Sequence, residues 1–258
     1  MTEPADHAAA DRAAADRALP LLWRAATAAA AAPRRGPRPK VSIDDVVDAG
    51  IEVADADGLD ALSMRGLAER LGIGAMTLYT HVPGRDELVV LMTDQALGRT
   101  ERPAHPDDLR RRLESVAEAA HAEYAAHPWL LELGGLRAYL GPHAADRYEW
   151  QLAAVDGLGL DDLEMDQTVT LLEGCASSAV RARQAVLLAE RHSGTTELEW
   201  WEANAGLLGE LMAGRDYPLA GRVGQAAGEA YQAASDPERQ FRFALERIVD
   251  GILVHLDR

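Results

Sequence analysis

Residues 76 to 88 read Met-Thr-Leu-Tyr-Thr-His-Val-Pro-Gly-Arg-Asp-Glu-Leu. Thr77, Tyr79, Thr80 and His81 place three hydroxyls and an imidazole within about one and a half helical turns. Hydroxyls and backbone N–H groups can hold phosphate oxygens without carrying positive charge, so this is a pattern suited to a nucleic-acid backbone. Between Gly72 and Arg85 there is no carboxylate to repel one. A lone Tyr or His is usually a packing residue, and only the whole run points to DNA.

The chain as a whole is acidic, with a formal net charge of -16 over 258 residues. That charge is unevenly spread. Residues 34 to 102 carry nine basic and twelve acidic side chains, while residues 103 to 258 carry fourteen and twenty-six. The acidity thus belongs mainly to the C-terminal part, and the N-terminal part keeps local positive charge for a polyanion. Length fits one large or two small domains. One cysteine, Cys175, rules out an internal disulfide and suits a reducing compartment. Its small apolar neighbours read as those of a buried structural thiol. No run of about 18 apolar residues occurs, so a soluble, cytoplasmic protein without a membrane span is expected.

The elements that must position residues 76–88 are all helical. Ala and Leu dominate, and aromatics are 5 % of the chain. Residues 1–40 read as a flexible segment: an Ala-rich tail over 1–32 with little to bury, then the basic arm Pro-Arg-Arg-Gly-Pro-Arg-Pro-Lys at 33–40. Two readings of this arm stand: a linker, or an arm that puts Arg34, Arg35 and Arg38 into a minor groove. A first helix is predicted from Ser42, its cap, through Ile43, Val46, Val47, Ile51 and Ala54. A short helix over 63–71, the turn Gly72-Ile73-Gly74, and a third helix over 75–81 give helix-turn-helix spacing. Leu67, Leu71, Ile73 and Leu78 would hold the pair together. A fourth helix starts at Arg85. Further helices are predicted over 107–127, 142–157, 162–191 and 196–213, with a loop at 214–225 and a last helix capped by Asp236.

The run Leu-Ser-Met-Arg-Gly-Leu-Ala-Glu-Arg-Leu-Gly-Ile-Gly-Ala-Met-Thr-Leu-Tyr-Thr-His-Val-Pro-Gly-Arg-Asp-Glu-Leu resembles the DNA-binding domain of the tetracycline-repressor (TetR) family over about residues 41 to 97. His-Pro-Trp-Leu-Leu-Glu-Leu at 127–133 and Phe-Arg-Phe-Ala-Leu-Glu-Arg-Ile-Val-Asp-Gly-Ile at 241–252 resemble the branch whose C-terminal domain is like that of the tetracycline repressor. The resemblance implies an all-α protein: a DNA-binding domain over 41–98 and an effector-binding and dimerisation domain over 99–258. It implies a dimer that binds a palindromic operator and is released by a small molecule. Thr77, Tyr79, His81 and Arg85 would touch phosphates, and Arg65, Ala75 and Thr80 would face base edges. Lys40, Ser63 and Met76 are counted with them as DNA-binding candidates. Ala75 and Thr80 are smaller than the residues the tetracycline repressor uses, so the operator does not follow from the resemblance, although their methyls can favour a thymine methyl.

In the C-terminal part, Trp129, Trp150, Trp200 and Trp201 are candidate effector contacts, since Trp offers area and one N–H donor. Trp200 and Trp201 are adjacent and should point to different faces, one to a pocket and one to a dimer contact. Glu173 lies in an otherwise neutral run from Thr168 to Val180 and is either a ligand anchor or a solvated edge. Dimerisation is expected through helices near 162–191 and 236–257. Eight histidines without paired spacing give no metal site, and no nucleophile–base pair or phosphate loop supports an enzyme. The reading that competes with a regulator is a helical ligand- or protein-binding module whose reading helix has degenerated.

Overall fold

The structure is a computed structural model and describes residues 17–24, 41–133, 141–213 and 217–257. Helix α1 (Ile43–Asp57) starts at a capping box. The Ser42 hydroxyl accepts from the Asp45 N–H at 3.1 Å, and the Asp45 carboxylate accepts from the Ser42 N–H at 2.7 Å. The Ser42 N–H and then the Ser42 hydroxyl, both bonded to the Asp45 carboxylate, hold its carboxyl below the usual carboxylate range. Gly58, at φ +83, ends the helix.

Helices α2 (Met64–Arg70) and α3 (Ala75–His81) are joined by a Schellman turn. The Ile73 N–H donates to the Ala68 carbonyl at 3.0 Å and the Gly72 N–H to Glu69 at 3.2 Å. Gly72 sits at φ +65, where a Cβ would be strained. Helix α4 (Arg85–Arg99) closes this layer. Val46, Val47 and Ile51 of α1, Leu67 of α2, Leu78 of α3, and Leu88 and Met92 of α4 form one core. Gly50 lets α1 approach α4 closely, since a Cβ there would lie 2.8 Å from the Met92 sulfur.

The second core is built from α5 (Leu109–Ala126), α7 (Asp162–Ser193) and α10 (Pro237–Leu256). Leu113, Val116 and Ala120 meet Val169, Leu172 and Ala176, with Phe241, Leu245 and Val249 completing the packing. Helix α6 (Pro142–Ala153) lies between this core and α4. Helices α8 (Glu197–Ala213) and α9 (Pro218–Tyr231) pair with each other. The described residues contain no strand.

Two expectations are overturned. The Ala-rich tail does bury surface: residues 17–22 are helical, and Ala18 and Leu22 are 1 % and 3 % exposed in the first core. Arg17 pairs with the buried Glu87 at 2.5 Å, and Arg24 pairs with Asp44. The loop expected over 214–225 is helix from Pro218 onward. Its Pro occupies the first helical turn, where no N–H is needed. Its Gly228 lies where any Cβ would overlap the Trp201 ring, so a residue that reads as a breaker is there for packing. Helices expected over 107–127 and 142–157 run Leu109–Ala126 and Pro142–Ala153.

Replacing Gly72 by Ala should destabilise the chain by about 1 kcal/mol, because an L-residue is strained at this φ. Gly206→Ala should instead stabilise by about 0.5–1 kcal/mol, since open space surrounds this mid-helix glycine. Urea unfolding of both variants checks the opposite signs.

Candidate nucleic-acid interface and effector cavity

Helix α3 has one buried residue, Leu78, and this fixes which side chains face out. Ala75, Met76, Thr77, Tyr79 and Thr80 are exposed, Met76 by 79 %, and His81 is half-buried. The structure therefore brings together the residues singled out on this helix. The Thr80 hydroxyl donates to the Thr77 carbonyl at 2.6 Å, so its proton is used and its methyl and lone pairs remain for contact. The Ser63 hydroxyl, as the cap of α2, accepts from the Gly66 N–H at 3.2 Å, which leaves its proton free for a phosphate oxygen.

Arg65 pairs with Glu69 at 3.1 Å, with side chains 88 % and 67 % exposed. So exposed a pair contributes little and does not lock Arg65 away from a partner. Arg85 is different. Its Nε donates to the Leu62 carbonyl at 3.1 Å and Nη2 to Leu59 at 2.7 Å. It clamps the connection between α1 and α2, so only its remaining N–H groups are left for a phosphate. Lys40 and the arm at 33–40 lie outside the described residues.

The five effector candidates are not brought together in one site; only Trp200 and Trp201 share a cavity. Trp129 is 1 % exposed and belongs to the first core, where its indole N–H donates to Asp55 at 2.7 Å. The expected ligand contact at Trp129 is corrected: it is a sealed joint between the short 3-10 turn Pro128–Glu132 and α1. His127 Nδ1 lies 2.8 Å from the same carboxylate. Trp150 donates to the Pro103 carbonyl at 2.8 Å and packs on the His105 ring with centroids 4.3 Å apart.

Glu173 is neither a free anchor nor a solvated edge. Its carboxylate accepts from Arg147 and from Gln151. Arg147 in turn bonds Glu123 at 2.8 Å, and Glu123 accepts from Arg102 at 2.8 Å. Arg102 also donates to the Leu97 carbonyl of α4 at 2.6 Å. This chain of charges joins α4, α5, α6 and α7. Glu123 is 2 % exposed, and burial pushes its carboxyl up against the pull of Arg147 and Arg102. Sequence reading missed Glu123 and Arg147, because a charge on an otherwise packed helix face is visible only once the face is known.

Trp200 and Trp201 both line one cavity of about 960 Å³ between α8 and α9. Trp200 is still 45 % exposed beside it. Leaving the α8 helix by different angles, both rings still reach the groove because Gly228 admits Trp201 against the α9 backbone. Cys175 is partly buried against the second core, and burial pushes its thiol up. Among the described residues no group of three His, Cys, Asp or Glu side chains has the geometry to hold a metal ion.

A short helix with an outward, carboxylate-free face, set by a glycine turn on a three-helix core, is the helix-turn-helix of a DNA-binding protein. Comparison with known proteins agrees over nearly the whole chain. Residues 46–92 match the model of the bacterial regulatory proteins of the tetR family, and residues 102–256 match that of the tetracyclin repressor-like C-terminal domain. The chain belongs to the TetR family of transcriptional regulators. It is 38 % identical over 224 residues to the HTH-type transcriptional repressor DrrR1 of Streptomyces coeruleorubidus, covering 86 % of this chain and 81 % of that protein. The apo structure of ActR from Streptomyces coelicolor superposes with a TM-score of 0.65 at 26 % identity, covering 86 % of this chain and all of that one. ActR in complex with actinorhodin gives a TM-score of 0.63 at 27 % identity, over 83 % of this chain and 96 % of that one. The protein is thus a DNA-binding transcriptional regulator. No helix among the described residues is long and apolar enough to cross a membrane.

Removing the hub of the buried ion chain should be costly. Among the described residues, Glu123→Ala removes the one carboxylate paired with Arg102 and one of the two paired with Arg147, and should destabilise by about 3–5 kcal/mol, whereas Arg65→Ala should cost less than about 1 kcal/mol. Chemical denaturation distinguishes the two, and equal losses would contradict the assignment.

Proposed function

We propose that the protein is a homodimeric repressor whose paired α3 helices read a palindromic operator and whose C-terminal domain takes a small molecule that releases it. The observation that carries this is the outward face of α3, where Thr77 and Tyr79 stand exposed on a helix pinned by Leu78. Thr77, Tyr79, His81 and Ser63 hold phosphates. Arg65, Ala75, Met76 and Thr80 face base edges, and Arg85 positions the turn while offering its spare N–H groups. Residues 41–98 form the DNA-binding unit, with 17–24 as its brace, and 99–258 form the effector and dimer unit. Reading chromosomal DNA places the protein in the cytoplasm.

The dimer forms through α7 and α10. Leu163, Leu171 and Leu188 on α7 and Phe243 and Val254 on α10 are each about half exposed or more, although both helices already bury a full face inside the subunit. Such faces suit a four-helix contact between two copies. Similarity to a repressor and to a ligand-bound regulator supports release by a ligand rather than a constitutive switch. A module with a degenerate reading helix is favoured only by the small Ala75 and Thr80.

Selection from random duplex DNA at about 150 mM salt tests the reading. An enriched palindrome with half-sites about 34–36 Å apart, or a multiple of this, is expected. The Thr77→Ala plus Tyr79→Phe variant should bind it at least tenfold more weakly. A folded dimer that enriches no sequence would favour the degenerate module, and a monomer by light scattering would remove the dimer from the proposal.

A further inference from the structure

The cavity between α8 and α9 has two unlike walls. On α8 stand the indoles of Trp200 and Trp201. On α9 stand Gln225 and Glu229, one helical turn apart, and Gln232 caps its C-terminus. Glu229 is the one charged side chain among the described lining residues, and no cation lines the groove. Its carboxylate accepts a single neutral side-chain bond, from Gln225 at 2.9 Å. The volume, about 960 Å³, lies in the range of a drug-sized ligand. Gly209, Gly221 and Gly224 face its open space: a Cβ on any of them would meet nothing within 4 Å.

We propose that this groove binds a planar aromatic cation, its rings against Trp200 and Trp201 and its positive group toward Glu229. Indole faces attract flat rings and cations, because the ring quadrupole is negative on its faces. A carboxylate facing a groove without a counter-charge excludes an anion of the same shape. An apolar helix of a second copy seated here would strip water from Glu229 with nothing to replace it. The helix that forms the floor carries glycines at 221, 224 and 228, each unfavourable in a helix by about 1 kcal/mol relative to Ala. The first two face the open slot, and Gly228 seats Trp201. This inference rests on the reading of the protein as a ligand-responsive regulator and names the ligand class.

The test is calorimetric titration of the full-length protein, without DNA, with proflavine as the planar cation and 2-anthracenesulfonate as the planar anion. Proflavine is expected to bind at least tenfold more tightly than the anion. Gly224→Leu fills the open slot without a steric clash and should weaken proflavine at least tenfold, with the helix content and solution mass of the wild type. Glu229→Gln keeps the shape and should weaken it about fivefold while narrowing the preference over the anion. Equal binding of the two probes, or undiminished binding by Gly224→Leu, would overturn the proposal. So would a fall in solution mass for Gly224→Leu, since a second copy would then be the occupant. DNA selection is independent of this result: a protein that finds an operator but ignores proflavine refutes only the ligand site, and the converse refutes only the repressor reading.

Discussion

Helix α3 is seven residues long, far too short to hold itself in water. The outward face of α3 therefore depends on the burial of Leu78. That one side chain, fully enclosed by the core of α1, α2 and α4, supplies the tertiary contact that a short helix needs. The Schellman turn at Gly72 fixes the entry of the same element, and the Arg85 clamp holds the connection between α1 and α2 against which it packs. Because a single residue faces in, nearly all the others face out, and a seven-residue helix gains a broad surface for a groove.

The two cores are joined by polar contacts that leave little slack. The buried Asp94 of α4 accepts from the Ala144 N–H at the start of α6 at 2.9 Å. A Cβ on Gly141 would overlap that carboxylate, and a Cβ on Gly98 would overlap the His143 ring. The chain from Arg102 through Glu123 and Arg147 to Glu173 runs alongside. With Asp55 holding Trp129 and His127, α1, α4 and α6 have few independent ways to move. One buried nitrogen of this ion chain, Nη2 of Arg147, has no hydrogen-bond partner among the described residues, so the network is tightly packed without being fully satisfied.

Much of this was legible in the sequence. The cap at Ser42, the turn at Gly72-Ile73-Gly74 and the limits of α3 follow from local signals whose partners lie within a few residues. The outward face of α3 was legible for the same reason, because one apolar position among polar ones leaves no choice of buried side. Contacts across long sequence separation were not. Glu123 and Arg102 meet over 21 residues, and Asp55 and Trp129 over 74. Trp129 looked like a pocket wall because an indole suits a ligand and a core equally. Residues 17–24 looked idle because Ala buries little by itself, and only the fit of Ala18 and Leu22 into the existing core makes the segment count. The α9 glycines read as a loop because propensity is a weak prior where packing decides.

The charge division has a consequence for how the protein arrives at DNA. The helices after α4 carry most of the excess negative charge, and the helix-turn-helix core carries little of it. A duplex repels the first part and tolerates the second, so the field acts as a rudder and turns the molecule tail outward as it nears the duplex. Mistaken approaches, with the acidic bulk leading, are rejected at a distance of about a Debye length, before any surfaces touch. Acidity, which would hinder a protein that gripped DNA with its whole surface, here narrows the orientations in which this one lands.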